Sequence, residues 1–266
     1  MGVAIDTVLG AAHNPSTTPT ALTMATGDSL TVRNFFPPAA AWLEKVMRSG
    51  AATSTIQIKS PTMHDNVEGL QYISSESPSQ FFFPKQAAQP MRAQDNLTVT
   101  TTGGTAEYDL VGLSLYYTDL PGIQARLRMP ADVLPHAKQY KVIQVACTSA
   151  ATPGTWVDTV CTTTEDLLVA NTDYAVLGYL TDVACGLVGV KGIDTGNLRV
   201  CGPGTASSRD TTNFFLEWSE REGRPHVPIF NSANKNGFYV SVADTGVSTA
   251  VKAQLIVAEM DQPMGS

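Results

Sequence analysis

The histidines are the first residues to examine for chemistry in this chain, and the four of them are widely scattered. His13, His64, His136 and His226 each lie close to a proline or a loop signal. The dipeptide His64-Asp65 could supply half of a metal or acid–base site, but no second histidine lies within ligand spacing. We therefore predict no metal site and no catalytic histidine.

Three acidic residues near position 220 are the candidates for a carboxylate site. Glu217, Glu220 and Glu222 alternate with Arg221 and Arg224, a mixture typical of a solvated edge. Paired carboxylates of the glycosidase kind remain an open alternative, because a fold can bring distant acids together. The chain contains no nucleophile elbow, P-loop or dinucleotide fingerprint. We expect no enzyme activity and no cofactor.

All four cysteines lie in the second half of the chain, at Cys147, Cys161, Cys185 and Cys201. Their spacings contain no C-x-x-C pair and match no zinc pattern. They are expected to be small buried thiols. One or two disulfides stay open if the protein matures outside a reducing cell.

Large apolar residues come in adjacent sets, and adjacent strand residues point to opposite faces. Such strands bury large side chains on both faces. One face packs on the core, and the other packs either on a helix or loop of the same chain or on a neighbouring subunit. A short apolar run near the N-terminus is also suited to docking on a partner. The candidate interface residues are Val3, Ile5, Val8, Leu9, Phe81, Phe82, Phe83, Tyr116, Tyr117, Phe214 and Phe215.

Composition excludes several function classes. The 266 residues are 43% hydrophobic but only 15% charged, with a formal net charge of -7. That balance argues against sequence-specific nucleic-acid binding. Low charge suits tight packing against neighbours. The N-terminus lacks the basic region of a secretory signal, and no apolar run is long enough for a transmembrane helix.

Two stretches share one pattern and dominate the secondary-structure prediction. Asn96–Tyr117 and Phe238–Met260 each contain a short alternating strand, a glycine-bearing turn and a long alternating strand. This pattern predicts a β-hairpin in each case. Because the copies start about 140 residues apart, they indicate two β domains of one kind rather than a solenoid.

Many short strands at 8–12-residue spacing predict an all-β chain of two successive β domains, each a β-sandwich or a jelly roll with a short inserted helix. We adopt two successive jelly-roll β-sandwiches (a double jelly roll), the form that the resemblance described below implies. Helices are predicted at Ala39–Arg48 and Glu165–Val169, and strands at Ser29–Phe36 and Phe214–Ser219, among others. The predicted divisions are an N-terminal arm (1–27), a first jelly roll (28–122), a connector (123–138) and a second jelly roll (139–266).

With these residues in view, the chain resembles the double jelly-roll major capsid proteins of tailless icosahedral viruses. The stretch Leu113–Gly122 (LSLYYTDLPG) is similar to the end of the first roll in small bacteriophage members, and Tyr174–Gly204 with Phe214–Glu259 is similar to the second roll. The resemblance covers roughly residues 28–262. The chain is at the small end of the family, which leaves little room for tall surface loops.

The resemblance implies a virion protein, made in the host cytoplasm, that trimerises into pseudo-hexameric capsomers of an icosahedral shell. Its implied partners are itself and other virion proteins, and an internal membrane beneath the shell is left open. A minor capsid or cement protein is the alternative in the same class. A carbohydrate-binding β-sandwich is a third reading, although Trp42, Trp156 and Trp218 are too far apart in sequence to support it.

Overall fold

A computed structural model of the chain describes residues 2–14, 20–25, 30–49, 55–63, 67–73, 79–82, 88–103, 107–161, 168–204, 210–246 and 248–265. Within these residues the chain is mainly antiparallel β-strand, arranged in four sheets. The predicted all-β character is therefore confirmed. No helix in the described ranges has the length and apolar content needed to cross a membrane.

Two sheets are built from residues 4–117. Their strands are β1 (Ala4–Asn14), β2 (Thr20–Ala21), β3 (Thr23–Met24), β4 (Ala41–Ser49), β5 (Thr55–Lys59), β6 (Leu70–Ile73), β7 (Ser79–Phe82), β8 (Gln89–Met91), β9 (Thr98–Thr102) and β10 (Glu107–Tyr117). One sheet has the order β3-β1-β10-β4-β7, with β8 also paired to β4, and the other has the order β2-β9-β5-β6. Apolar side chains from β5, β9 and β10 belong to one core, with members such as Ile56, Val99 and Val111.

The other two sheets are built from residues 127–260. Their elements are β11 (Leu127–Arg128), α1 (Pro130–Val133), β12 (Ala137–Thr148), β13 (Val157–Val160), β14 (Asp173–Thr181), β15 (Leu187–Gly192), β16 (Val200–Pro203), α2 (Phe214–Glu222), β17 (Val227–Asn231), β18 (Phe238–Ala243) and β19 (Ala250–Met260), with 3₁₀ turns at Leu134–His136 and Ser232–Gly237. The sheet orders are β11-β17-β14-β19-β12 and β13-β18-β15-β16.

The two halves connect their strands in the same way. Leaving out the short edge strands β3, β8 and β11, the first half contains β1-β10-β4-β7 facing β2-β9-β5-β6. The second half contains β12-β19-β14-β17 and β13-β18-β15-β16. In both, the first strand pairs with the last and the second pairs with the one before the last. The repeat seen in the sequence is therefore a repeat of chain path.

The repeated stretches are not hairpins, although the sequence predicts them as such. β9 and β10 belong to different sheets, and so do β18 and β19. The chain thus crosses from one sheet to the other at each connection. Alternation on both sides of a glycine-bearing turn is the same whether the strands pair or cross over. The turn residue Gly104 lies outside the described residues.

Two predicted elements have the wrong secondary structure. Ala39–Arg48 is predicted as a helix, but the chain forms β4 there, buried at every position except Trp42. A strand covered on both faces shows no alternation and can match helical spacing. Phe214–Ser219 is predicted as a strand, but it lies in α2, which ends where Gly223 takes a left-handed φ of 67°. The predicted helix at Glu165–Val169 lies mostly outside the described residues.

The predicted N-terminal arm is also a correction. Ala4–Asn14 forms β1, which pairs with β10 along its whole length, from Ala4 opposite Tyr117 to Asn14 opposite Glu107. An interior strand is apolar on both faces, so in sequence it looks like a docking segment. Of the predicted strand Ser29–Phe36, the described residues 30–36 contain an isolated bridge at Thr31 and no longer strand.

Candidate functional site

A buried polar network lies where the two halves meet, at a contact that we call the seam. The outward face of the β1-β10-β4 sheet packs against the β15-β16-β18 side of the second half. The apolar members are Leu9, Ala11, Met47 and Leu110 from the first half and Leu187, Cys201 and Ala243 from the second. A Cβ on Gly112 would lie 3.0 Å from a methyl of Leu187. Small residues therefore let the two halves approach closely.

Glu44 is the main polar link across the seam. A register shift between Ser114 and Leu115 interrupts the pairing of β10 with β4 next to this residue. Its carboxylate lies 2.6 Å from Nη1 of Arg224 and 2.5 Å from Nε2 of His226. Both the Glu44 and the His226 side chains are fully buried.

The ring of His226 makes a contact at each of its two nitrogens. Its Nδ1 lies 2.8 Å from the carbonyl oxygen of Arg224, which can only accept, so Nδ1 carries a hydrogen. Its Nε2 faces the Glu44 carboxylate. The two ring nitrogens of this buried side chain therefore contact one group from each half of the chain. The ring also lies 4.5 Å from the Trp218 ring and 5.2 Å from that of Tyr116.

Lys45 crosses the seam beside Glu44. Its Nζ donates to the carbonyl oxygen of Cys201 at 3.1 Å. The same ammonium lies 3.7 Å from the centroid of the Trp218 ring and 4.0 Å from that of Phe214. Aromatic faces attract a cation strongly once it is removed from water. A first-half cation is therefore held in a second-half aromatic cage that α2 provides.

Glu222 lies at the end of α2 within reach of this network. Its side chain is buried, and neither carboxylate oxygen accepts a hydrogen bond from the described part of the chain. Burial raises the pKa of the Glu222 carboxyl, and the charge of Glu44 raises it further. His226, Arg221 and Arg224 lower that pKa, but the net direction is upward.

The Glu44–His226 pair resembles an acid–base dyad in its contacts but not in its access. General acid–base catalysis needs a group that a substrate can reach. Both side chains have no exposed surface. Within the described residues, no set of three His, Cys, Asp or Glu side chains is close enough to hold a metal ion. The arrangement can join two halves rigidly.

A second polar cluster lies within the second half of the chain. Arg126 pairs with Asp173, and its Nη1 lies 3.3 Å from Asp194. Burial works against the charged form of Arg126, yet its hydrogen bonds to both carboxylates raise its pKa overall. Beside it is a cavity of about 700 Å³, lined by residues of both halves that include Gly2, Asp119 and Arg126.

Most candidate interface residues lie inside the chain, which corrects their assignment. Ile5, Val8 and Leu9 are buried in β1, and Val3 is half-buried against the core. Buried positions also include Tyr116, Tyr117, Phe214 and Phe215. Other residues of the same chain cover these side chains, so they leave little surface for another subunit. Phe81 and Phe82 lie in β7, and Phe83 lies outside the described residues.

The cysteines are where the sequence predicts them. Cys147, Cys161, Cys185 and Cys201 are buried free thiols. Burial raises the pKa of the Cys161 and Cys185 thiols to about 12. They are therefore unreactive members of the core.

Sequence reasoning missed the seam network. Glu222 and Arg224 are predicted on a solvated edge, but Glu222 is buried and Arg224 pairs with Glu44. Glu217 and Glu220 are exposed as expected. The available signal was the adjacent Glu44-Lys45 pair in a segment otherwise fit for a buried strand. Reading that segment as a helix placed both charges on a solvent face.

Comparison with known proteins adds little. No family model and no curated protein matches the chain. It is similar to the crystal structure of the PBSX exported protein XepA, with 9% identity, a TM-score of 0.23, and coverage of 95% of this chain and 86% of that chain. It is also similar to the cryo-EM structure of T=1 Penaeus vannamei nodavirus, with 10% identity, a TM-score of 0.22, and coverage of 97% and 98%. At TM-scores this low neither likeness carries an argument.

Proposed function

We propose that this chain is a structural virion protein: a double jelly-roll major capsid protein whose trimers form pseudo-hexameric capsomers of an icosahedral shell. Its partners are other copies of itself and other virion proteins, and it resides in the virion. The proposal gives the chain no catalytic role and no cofactor.

The strand order is the observation that carries this proposal. A jelly roll is an eight-stranded double sheet of two Greek keys, found in viral capsid and lectin domains. Pairing of the first strand with the last, and of the second with the one before the last, follows from that path. Both halves have this order, from β1 with β10 to β13 with β18. Two such sandwiches in tandem are suited to a tiling protein.

The seam supports the same proposal. It joins one sheet of the first half to a different sheet of the second, so the contact is heterologous. Heterologous contacts between like units close into rings when the rotation allows it. The first half and the second half are alike in path, so the chain already contains one step of such a ring. The low charged fraction of 15% suits repeated burial of surface.

A carbohydrate-binding sandwich is not favoured by the tryptophans. Such sites present exposed aromatic faces to the sugar. Trp218 is only 1% exposed and contacts Lys45. Trp42 and Trp156 are half-buried and lie beneath the guanidinium groups of Arg224 and Arg199.

The mass of the purified chain tests the proposal. We expect light scattering to give a species of three times the 28.3 kDa of one chain, and negative-stain images to contain capsomers or shells. A minor capsid or cement protein would give a loose trimer without shells. A monomer at every concentration would contradict both.

A further inference from the structure

Part of the second half presents a flat and accessible sheet surface, which we call the β12–β19 face. It consists of Tyr140, Val142, Gln144 and Ala146 from β12 and Lys252, Gln254 and Ile256 from β19. Val142 lies opposite Ile256, and Gln144 lies opposite Gln254. Tyr140 is 59% exposed and Val142 is 49% exposed. Tyr140 and Val142 are large apolar side chains. None of the seven residues of the face is acidic, although the carboxylate of Asp182 lies beside it, 2.7 Å from the backbone nitrogen of Lys252.

The equivalent face of the first half is covered. β1 and β10 hold the same first-and-last positions as β12 and β19. Their outward pairs include Leu9 opposite Gly112 and Ala11 opposite Leu110. These residues pack on Leu187 and its neighbours at the seam. In the first half, therefore, this kind of face is an interface.

The surfaces on the other side of the seam differ in the same way: one half has its surface covered, and the other half leaves the equivalent surface accessible. At the seam, the second half contributes the outward side of its β13-β18-β15-β16 sheet. The equivalent sheet of the first half, β2-β9-β5-β6, leaves its outward side at least partly accessible to solvent. We call this the threonine face; it consists of Thr98, Thr100 and Thr102 from β9 and Thr55, Gln57 and Lys59 from β5.

We propose that the β12–β19 face of one copy docks on the threonine face of a second copy and so repeats the seam between chains. This inference rests on the proposed function. Each chain buries one face of each kind internally and leaves one of each kind accessible, so the unused pair is matched. Neither face contains a carboxylate, and each has a single lysine, Lys252 or Lys59. The charge to be desolvated on docking is therefore small.

A charge placed in the β12–β19 face tests the docking surface. Val142→Glu should raise the dissociation constant of the trimer by about 30-fold or more, because the new carboxylate would be buried without a partner. Val169→Glu is the matched control, because Val169 is 48% exposed, lies in the connection between β13 and β14 and belongs to neither face. Sedimentation velocity measures assembly, and circular dichroism should show unchanged folding for both variants.

Cross-linking identifies which face meets which. A chain with Val142→Cys is mixed with a chain with Thr100→Cys and oxidised. The native cysteines are buried, so the new thiols are the accessible ones. We expect a mixed disulfide dimer in the mixture and little cross-linking of either variant alone. A Val169→Cys chain mixed with Thr100→Cys should give none.

The outcomes separate this inference from the proposed function. If the unsubstituted chain assembles and Val142→Glu assembles equally well, the inference is wrong and the capsid proposal stands. Efficient cross-linking of Val142→Cys with itself also overturns it, because that result means that like faces meet. If the unsubstituted chain never assembles, both proposals fail.

Discussion

At the residue scale, the seam places a carboxylic acid where its charge is disfavoured. Glu222 is buried on α2, and its pKa is raised by burial and by Glu44. For an acid with a raised folded pKa, the folded state binds more protons than the unfolded state between the ordinary value and the raised value. Stability therefore falls as pH rises through that window, and the penalty is complete above it.

We therefore expect Glu222→Gln to stabilise the chain at neutral pH by about 1 kcal/mol and to have little effect near pH 4. At low pH both side chains are neutral, so the difference vanishes. Thermal unfolding followed by circular dichroism across pH measures it. Glu220→Gln is the control on the same helix, because Glu220 is exposed. A gain that does not grow with pH would count against this account of Glu222.

At the element scale, β4 and α2 hold the halves together, and they are the elements that the sequence misidentifies. β4 provides Glu44 and Lys45, while α2 provides the cage residues Phe214 and Trp218. Both segments are packed on more than one side. Local periodicity is lost in such segments, so strand and helix become hard to distinguish. Elements with one solvent face, such as β5 and β9, keep their alternation and are predicted correctly.

Removing Glu44 should weaken the joint between these elements. We expect Glu44→Ala to lower the free energy of unfolding by about 3 kcal/mol, because the half-buried Arg224 and the buried His226 would lose their shared partner. Chemical denaturation measures the change. Glu217→Ala is the control, since Glu217 is exposed on α2. Equal stability of the two variants would mean that the ion pair does not join the halves.

At the scale of the whole molecule, the sequence predicts the doubling but not the path. The two stretches ending in β10 and β19 are recognisable as copies, because in each long strand the apolar residues that face the core alternate with residues that face away from it. Whether each pairs with its neighbour or crosses to another sheet depends on partners distant in sequence, which local pattern does not encode. The seam could not be predicted for the same reason. Residues that meet at the seam are far apart in sequence; Glu44 and Arg224, for example, are separated by 180 positions.

A cryo-EM reconstruction of the assembled particle tests the central claim most directly, namely that one contact serves both within and between chains. We predict three chains around each capsomer, giving six sandwiches in a ring. The β12–β19 face of each copy should lie against the threonine face of the next, as the outward side of β1 and β10 lies against that of β15 and β18 within one chain. A capsomer in which chains meet through other faces would contradict the account.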